Sequence, residues 1–454
     1  MASGESFTFR DLEGAVRGDT CAFRCKTILQ PAGGQGDKVF PPTYAGAVYA
    51  KEKRRVAGRE ETVDCVLLDS VQSQANRMEE ALQAAVDDGR ISIPVVVVDF
   101  SNADLLTAIG RVTSLQAPHR IADAILRDSL LDGQPFRKTA EGQCLDTASL
   151  ANATPLYSLC PTALVFGLWD STGPKGGMGA KFQRTIVGEI VGIDAVYGVK
   201  TSSRSDPLQI VKTAGPLYRR ADGGYTLDPT EAIDEKGKDN EPTGKKLLYK
   251  PNKKGQDVYH DPSEKKYPDQ GRPSEANHGN VTPDIDYRKD KKRLILDEKG
   301  NPIPVGGVTI SSAEQVVTLS LPALRRLRFP VNGAVSTDVD VAGRTVLAAL
   351  ALCAAALAAE KGFDLRSRCL LWPTEPMGWE LLGRPGETPD RLKLEADTAI
   401  GILREAVSAA ESKGLSWRKE PLVLKPAPQL MQLVQRSQTL AAAGKDEGEE
   451  EEGE

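Results

Sequence analysis

Between Pro161 and Asp206 two apolar runs enclose a loop of lysines, arginines and glycines, a combination suited to gripping a phosphate. The segment reads PTALVFGLWDSTGPKGGMGAKFQRTIVGEIVGIDAVYGVKTSSRSD. Gly176, Gly177 and Gly179 let backbone N–H groups come close to an anion, and Lys175, Lys181 and Arg184 bring the neutralising charge. Trp169 offers a stacking face, while Ser171 and Thr172 offer hydroxyls to a phosphate or ribose. A tryptophan that ends a strand inside the core is the alternative for Trp169. The common nucleotide motifs do not fit: Lys181 lies between Ala180 and Phe182 rather than after a glycine, and Phe182 stands where a dinucleotide fingerprint needs its third glycine. A plain glycine-rich turn is the competing reading of the loop as a whole.

Other residues invite similar chemistry. Ser73, Asn76 and Arg77 sit in SQANR at the start of a helix, where backbone N–H groups and the positive dipole end favour a phosphate. Ordinary capping and a solvated arginine would explain them equally well. Arginine binds phosphate in a bidentate way that lysine cannot reproduce. Lys38 closes a second glycine-rich loop, PAGGQGDK, after a strand from about Cys21 to Leu29. His119 and Arg120 open a further predicted helix; the histidine can be structural, touch a phosphate or base, or act as a general base. Base catalysis would need a second poised group, and none is evident. Asp338 and Asp340 form a D-x-D that can cap a helix or hold a divalent metal, with capping the simpler account. Asp170 reads as a residue that fixes its loop.

The elements that position these groups follow from periodicity. ALVFGLW and TIVGEIVGIDAVYGV read as strands on either side of the basic loop. In SVQSQANRMEEALQAAV, Ala75, Met78, Leu82 and Ala85 mark one face of a helix, with Gln74, Asn76, Arg77 and Glu80 on others. IPVVVVDF has the continuous β-branched character of a buried strand. A helix is predicted over Ala117 to Leu131, with Ile121, Ile125 and Leu131 inward. From about Gly215 to Val305 the chain turns polar and Pro/Gly-rich, with a hairpin expected at Glu298 to Asn301, and reads as an insertion too polar for much of a core. GGVTISSAEQVVTLSLP resumes strand character, followed by the basic cluster Arg325, Arg326 and Arg328, a helix over Val341 to Lys361, a last strand in RCLLWP, and a helix over Leu392 to Lys413. This irregular alternation points to an α+β fold of sheet and helices.

Composition narrows the class. The 454 residues are 40% hydrophobic and carry a formal net charge of -5. Seven acids from Asp446 onward account for the sign, and without them the body is mildly basic at +2. Seven cysteines, an odd number with no C-x-x-C pair, point to a reduced cytoplasm. Cys21 and Cys25 are expected to share a strand face as small buried hydrophobes. The N-terminus lacks the order of a signal peptide, and Val346 to Gly362 is too short and alanine-rich to prefer a bilayer, so no membrane role is expected.

Three motifs in order, VLLDSVQSQANRMEEAL (66–82), HRIADAILRDSLLDG (119–133) and LVFGLWDST with GGMGAKFQR, plus TILQPAGGQGDKVFPPTY near the start, carry a family resemblance. Together they resemble the RAMP-type, Cas-seven class backbone subunit of type I-G (formerly I-U) CRISPR Cascade. The resemblance implies an RRM-like (ferredoxin-like) palm with a large thumb-like insertion, head-to-tail stacking of copies along crRNA, and no catalytic duty or cofactor. It also implies target DNA, a large subunit and a repeat-processing subunit as partners. Some related backbones of type III complexes cut RNA with an aspartate; the type I class does not. On this basis residues 1–214 and 306–435 form the palm, 215–305 the insertion, and 436–454 an acidic disordered tail. The expected RNA contacts are Lys38, Ser73, Asn76, Arg77, His119, Arg120, Trp169, Ser171, Thr172, Lys175, Gly176, Gly177, Lys181 and Arg184. An endoribonuclease of the same superfamily, using His119 on repeat RNA, is the alternative.

Overall fold

A computed structural model describes residues 7–45, 48–172, 179–237, 239–250, 257–290, 293–296, 300, 302–360 and 362–442. The chain divides into two compact units, Met1–Val196 with Thr309–Glu454, and Tyr197–Val308.

The first unit is a mixed α+β structure built on a curled, nine-stranded antiparallel sheet. Five strands and two helices set its frame: β1 (Ala22–Pro31), β2 (Thr62–Asp69), α1 (Val71–Asp87), β3 (Ile186–Ile193), β4 (Ser312–Ser320), α2 (Thr337–Glu360) and β5 (Leu370–Pro373). Their order across the sheet is β5-β1-β4-β3-β2, with β1 and β4 paired from Ala22↔Ser320 to Leu29↔Ala313. Leaving β2 aside, β1-α1-β3-β4-α2-β5 is a β-α-β-β-α-β succession whose spatial order is fourth, first, third, second.

Burial alternates along β4 because successive side chains point to opposite faces. Ala313, Gln315, Val317 and Leu319 are buried on the helix side, while Glu314, Val316 and Thr318 line the open side. Ser70 caps α1 by accepting a hydrogen bond from the Ser73 N–H, and Ala75, Met78, Leu82 and Ala85 are buried as their spacing predicts. The apolar α2 packs against α1, β4 and the helices Phe9–Arg17, Thr162–Phe166 and Ala396–Glu411. By length and composition α2 could cross a membrane, yet 89% of its apolar window is buried inside the protein. A smaller sheet joins Val96–Asp99 in parallel to Leu422–Pro426, with both strands joining the same core as the helices.

Several elements differ from the sequence reading. Thr162–Phe166 is a short helix with every residue buried, so its apolar run shows no period that distinguishes helix from strand. Gly167, at a φ of +89°, ends it and leaves a two-residue strand, Leu168–Trp169. Residues 117–131 do not form one helix: Arg120 takes a left-handed φ of +51°, Asp123 caps a single turn at Ala124–Arg127, and Ser129–Leu131 joins the smaller sheet. α2 starts at Thr337, so Asp338 and Asp340 lie in its first turn and neither precedes it as a cap. RCLLWP is followed by further strands at Trp379–Leu382, Asp390–Leu392 and Leu422–Pro426. Helix Pro428–Ala442 occupies the start of the expected tail, held by Gln435 and Gln438 donating to the Asp104 and Thr107 carbonyls. Cys25 is buried in the strand, but Cys21 precedes it and is exposed.

The second unit begins at Tyr197, earlier than the composition shift at 215. It consists of short antiparallel pairs, including Thr201–Arg204 with Val281–Ile285 and the three-stranded set Asp234–Lys236, Pro242–Leu247 and Tyr259–His260. Tyr218, Ala232 and Leu248 are its buried cluster, with Val258 against them. Hydrogen bonds supplement this small core: Arg204 donates to the carbonyls of His278 and Gly279, and Asp206 accepts from backbone N–H groups of Leu208, Ile210 and Gly279. Leu296 and Pro302 bridge across the expected hairpin, whose turn falls largely outside the described residues.

Candidate nucleic-acid interface

The basic loop springs from a minimal hairpin in which Trp169 pairs with Lys181 and Leu168 with Phe182. Leu168 and Phe182 are buried and anchor it, while Trp169 is 56% exposed. The Lys181 Nζ lies 5.4 Å from the centroid of the Trp169 ring, a cation–π contact that holds both side chains at the surface. The indole therefore does not end in the core. Gly179 is required by the return path, because a Cβ there would stand 2.1 Å from the Asp170 carbonyl oxygen. Ser171 and Thr172 are exposed at the outgoing edge and Arg184 at the incoming one. Lys175, Gly176 and Gly177 lie outside the described residues.

Beneath the hairpin the structure gathers charged groups that the sequence reading had scattered. Arg120 is buried and grips Glu79 of α1 with two hydrogen bonds, Nε to Oε1 at 2.7 Å and Nη2 to Oε2 at 2.6 Å. Its Nη1 donates to the Gly167 carbonyl at 3.2 Å, and its guanidinium lies over the Phe166 ring. Arg120 is thus a buried brace for the hairpin rather than a surface contact, because both ends of its fork are occupied. Burial pushes the Glu79 carboxyl up to about 7, against the opposing pull of Arg120 and, more weakly, Arg184. Asp170 is also buried and accepts from Arg137 at 2.9 Å, which in turn donates to Asp146 at 2.9 Å. Asp170 does fix the loop. Neither Glu79 nor Arg137 was singled out by residue type; Glu79 falls one position after the buried Met78, and its partner lies 41 residues away.

A second cluster sits at the start of α1. Asp69 is fully buried and accepts from Gln74 Nε2 at 2.6 Å, Arg77 Nε at 3.0 Å and Arg366 Nη2 at 3.3 Å. Arg77 also donates to the carbonyls of Asp364 and Leu365, so its guanidinium ties α1 to the segment before β5. Ser73 is half-buried and Asn76 exposed. The 31–38 loop lies beside that same segment, with Gly34 and Gly36 at positive φ, Lys38 half-buried, and Phe40 under the Arg368 guanidinium. His119 is exposed; its backbone N–H donates to Asp123.

On the open face of the sheet cations meet carboxylates: Arg24 with Glu380 at 2.6 Å, Lys26 with Glu314 at 2.7 Å and Arg54 with Glu189 at 2.8 Å. Lys181 and Arg184 differ, because among the described residues no carboxylate lies within ion-pairing distance of either. Also among the described residues, no group of three His, Cys, Asp or Glu side chains is placed to hold a metal ion. The D-x-D is divided: Asp338 pairs with Arg17 at the surface, and the buried Asp340 accepts from Arg328 and the Phe329 N–H.

The buried Glu79–Arg120–Gly167 contact joins three segments, 66–82, 119–133 and the 164–184 region, and all of them fall within one recognised sequence family. Residues 23–197 match the model of CRISPR-associated protein GSU0053. That stretch is similar to a family of CRISPR-associated proteins. The match ends at Tyr197, where the second unit begins, and it contains every candidate contact from Lys38 to Arg184. No curated protein matches the chain.

Proposed function

We propose that this protein is CRISPR-associated and serves as a non-catalytic, crRNA-binding backbone subunit of a type I-G Cascade, working in the cytoplasm as copies stacked head to tail along guide RNA. The observation that carries the reading is the braced hairpin, which presents Trp169, Lys181 and Arg184 with no carboxylate in ion-pairing distance among the described residues. Phosphates would meet Lys181 and Arg184, and a base would stack on Trp169, a sequence-tolerant mode suited to coating a guide whose bases must stay free to pair with DNA. Ser171, Thr172, Asn76, Ser73 and Lys38 are secondary contacts in this reading. The β-α-β-β-α-β succession with its fourth-first-third-second order supports an RRM-like palm. The Tyr197–Val308 unit is the thumb-like element proposed to reach a neighbouring copy, and the large and repeat-processing subunits complete the set of partners.

The test is to purify the full chain and weigh it with and without ribonuclease treatment. Bound RNA of uniform length, lost on digestion, is the expected result; protein free of RNA under all salt conditions contradicts it. Incubation of repeat RNA with the protein, with and without magnesium, addresses catalysis. The RNA should stay intact, whereas cleavage that disappears in His119→Ala would make the protein an endoribonuclease.

A further inference from the structure

The arginine cluster that follows β4 belongs to no motif used so far, and the structure gives its three members different work. Arg325 donates to the carbonyls of Ala15, Val16 and Thr20, satisfying backbone acceptors at and just beyond the end of helix Phe9–Arg17. Arg328 pairs with the buried Asp340 at 2.6 Å, where Arg344 also converges. Arg326 does neither. It is exposed, and its Nη1 donates to Gln183 Oε1 at 2.9 Å, on the stretch between Lys181 and Arg184. Among the described residues no carboxylate pairs with it.

We infer that Arg326 is a further phosphate-binding residue, forming with Lys181 and Arg184 a single basic strip that holds the backbone of an RNA strand from two sides. The inference rests on the proposed RNA-binding function and adds to it a residue outside the family-matched segment. The sheet explains the juxtaposition. The β3–β4 ladder runs from Ile186↔Leu319 to Ile193↔Ser312, and the Ser320 N–H donates to the Thr185 carbonyl. Chain entering β3 after Arg184 therefore lies beside chain leaving β4 toward Arg326.

The Gln183 contact orients the guanidinium without neutralising it. A side-chain amide carries no charge, so Arg326 keeps its positive field, and a planar fork with one N–H engaged retains four others for phosphate oxygens. The same bond fixes the Gln183 amide with its oxygen toward Arg326, leaving its NH2 group as an additional donor on the strip. Such a surface recognises the sugar–phosphate backbone and carries no base information.

The experiment measures binding of fluorescein-labelled single-stranded RNA, one oligouridine and one of mixed sequence, to the full chain across a salt series. Arg326→Ala should weaken binding to both RNAs several-fold and lower the slope of log affinity against log salt by about 0.7, the value for one phosphate contact on a single strand. Its melting temperature should stay within about a degree of wild type, since an exposed side chain is removed. Arg326→Lys should restore the slope. Arg325→Ala, which removes a structural arginine of equal charge, should lower the melting temperature and leave the slope at the wild-type value. If Arg326→Ala binds like wild type while Lys181→Ala/Arg184→Ala loses affinity, the inference is wrong and the RNA-binding reading stands. If the wild-type chain fails to bind either RNA, both fall.

Discussion

Two sets of basic residues stand within one hairpin's reach of each other, and their surroundings give them opposite roles. Arg120, buried, and Arg137, partly buried, lie under the hairpin, each engaging a carboxylate that is itself shut off from water. Lys181, Arg184 and Arg326 lie on or beside it, exposed and without carboxylate partners among the described residues. A charge shut off from water is tolerable only when an opposite charge pairs with it, so the lower set is fixed in place and builds the scaffold. An exposed charge needs no partner to be stable and stays available to a ligand. The comparison teaches that a count of basic residues in a loop says little until each guanidinium's acceptors are known.

Breaking the lower set should have the largest effect. Arg120→Ala strands the Glu79 carboxylate in the core, and removing one member of a buried pair costs about 3–5 kcal/mol. Chemical denaturation should show that loss, with RNA binding failing as the hairpin loses the bond to Gly167. A variant as stable as wild type would move Arg120 out of the scaffold. At the surface, Trp169→Ala should leave the melting temperature nearly unchanged and weaken RNA binding by about 1–3 kcal/mol, the range for loss of one stacking face. Unchanged affinity in a titration would show that the exposed indole serves something other than a base.

A smaller effect concerns pH. The Glu79 carboxyl is raised from the ordinary 4.5 to about 7, so between those values the folded chain holds a proton that the unfolded chain has released. The stability linked to this group is full below about pH 4.5 and is lost as pH rises through about 7. Urea midpoints measured across this range should fall more steeply with pH for wild type than for Glu79→Gln, which cannot titrate there. Parallel profiles would mean that Arg120 holds Glu79 ionised throughout.

Where a buried face recurs at regular spacing, the sequence was legible. Ala75, Met78, Leu82 and Ala85 located α1, and the strand character of GGVTISSAEQVVTLSLP located β4. Where burial is complete, the period vanishes, which is why Thr162–Phe166 read as a strand. Arg120 misled for another reason. Next to Pro118 and His119 it reads as a polar helix start, and only the fold brings it to Glu79, 41 residues away. The hairpin's basic character and the loop-fixing role of Asp170 were visible from residue types and spacing alone. Arg326 stood out only as one of three arginines, because the distinction among them depends on acceptors supplied by helix Phe9–Arg17, by α2 and by the hairpin.

The most direct test of the account compares the full chain with Lys181→Ala/Arg184→Ala, measuring RNA affinity by fluorescence anisotropy over a range of salt concentrations. Loss of two phosphate contacts should lower affinity and reduce the slope of log affinity against log salt by about 1.4, while the melting temperature stays at the wild-type value. Equal affinity and an equal slope in a fully folded double variant would contradict the claim that this hairpin grips RNA.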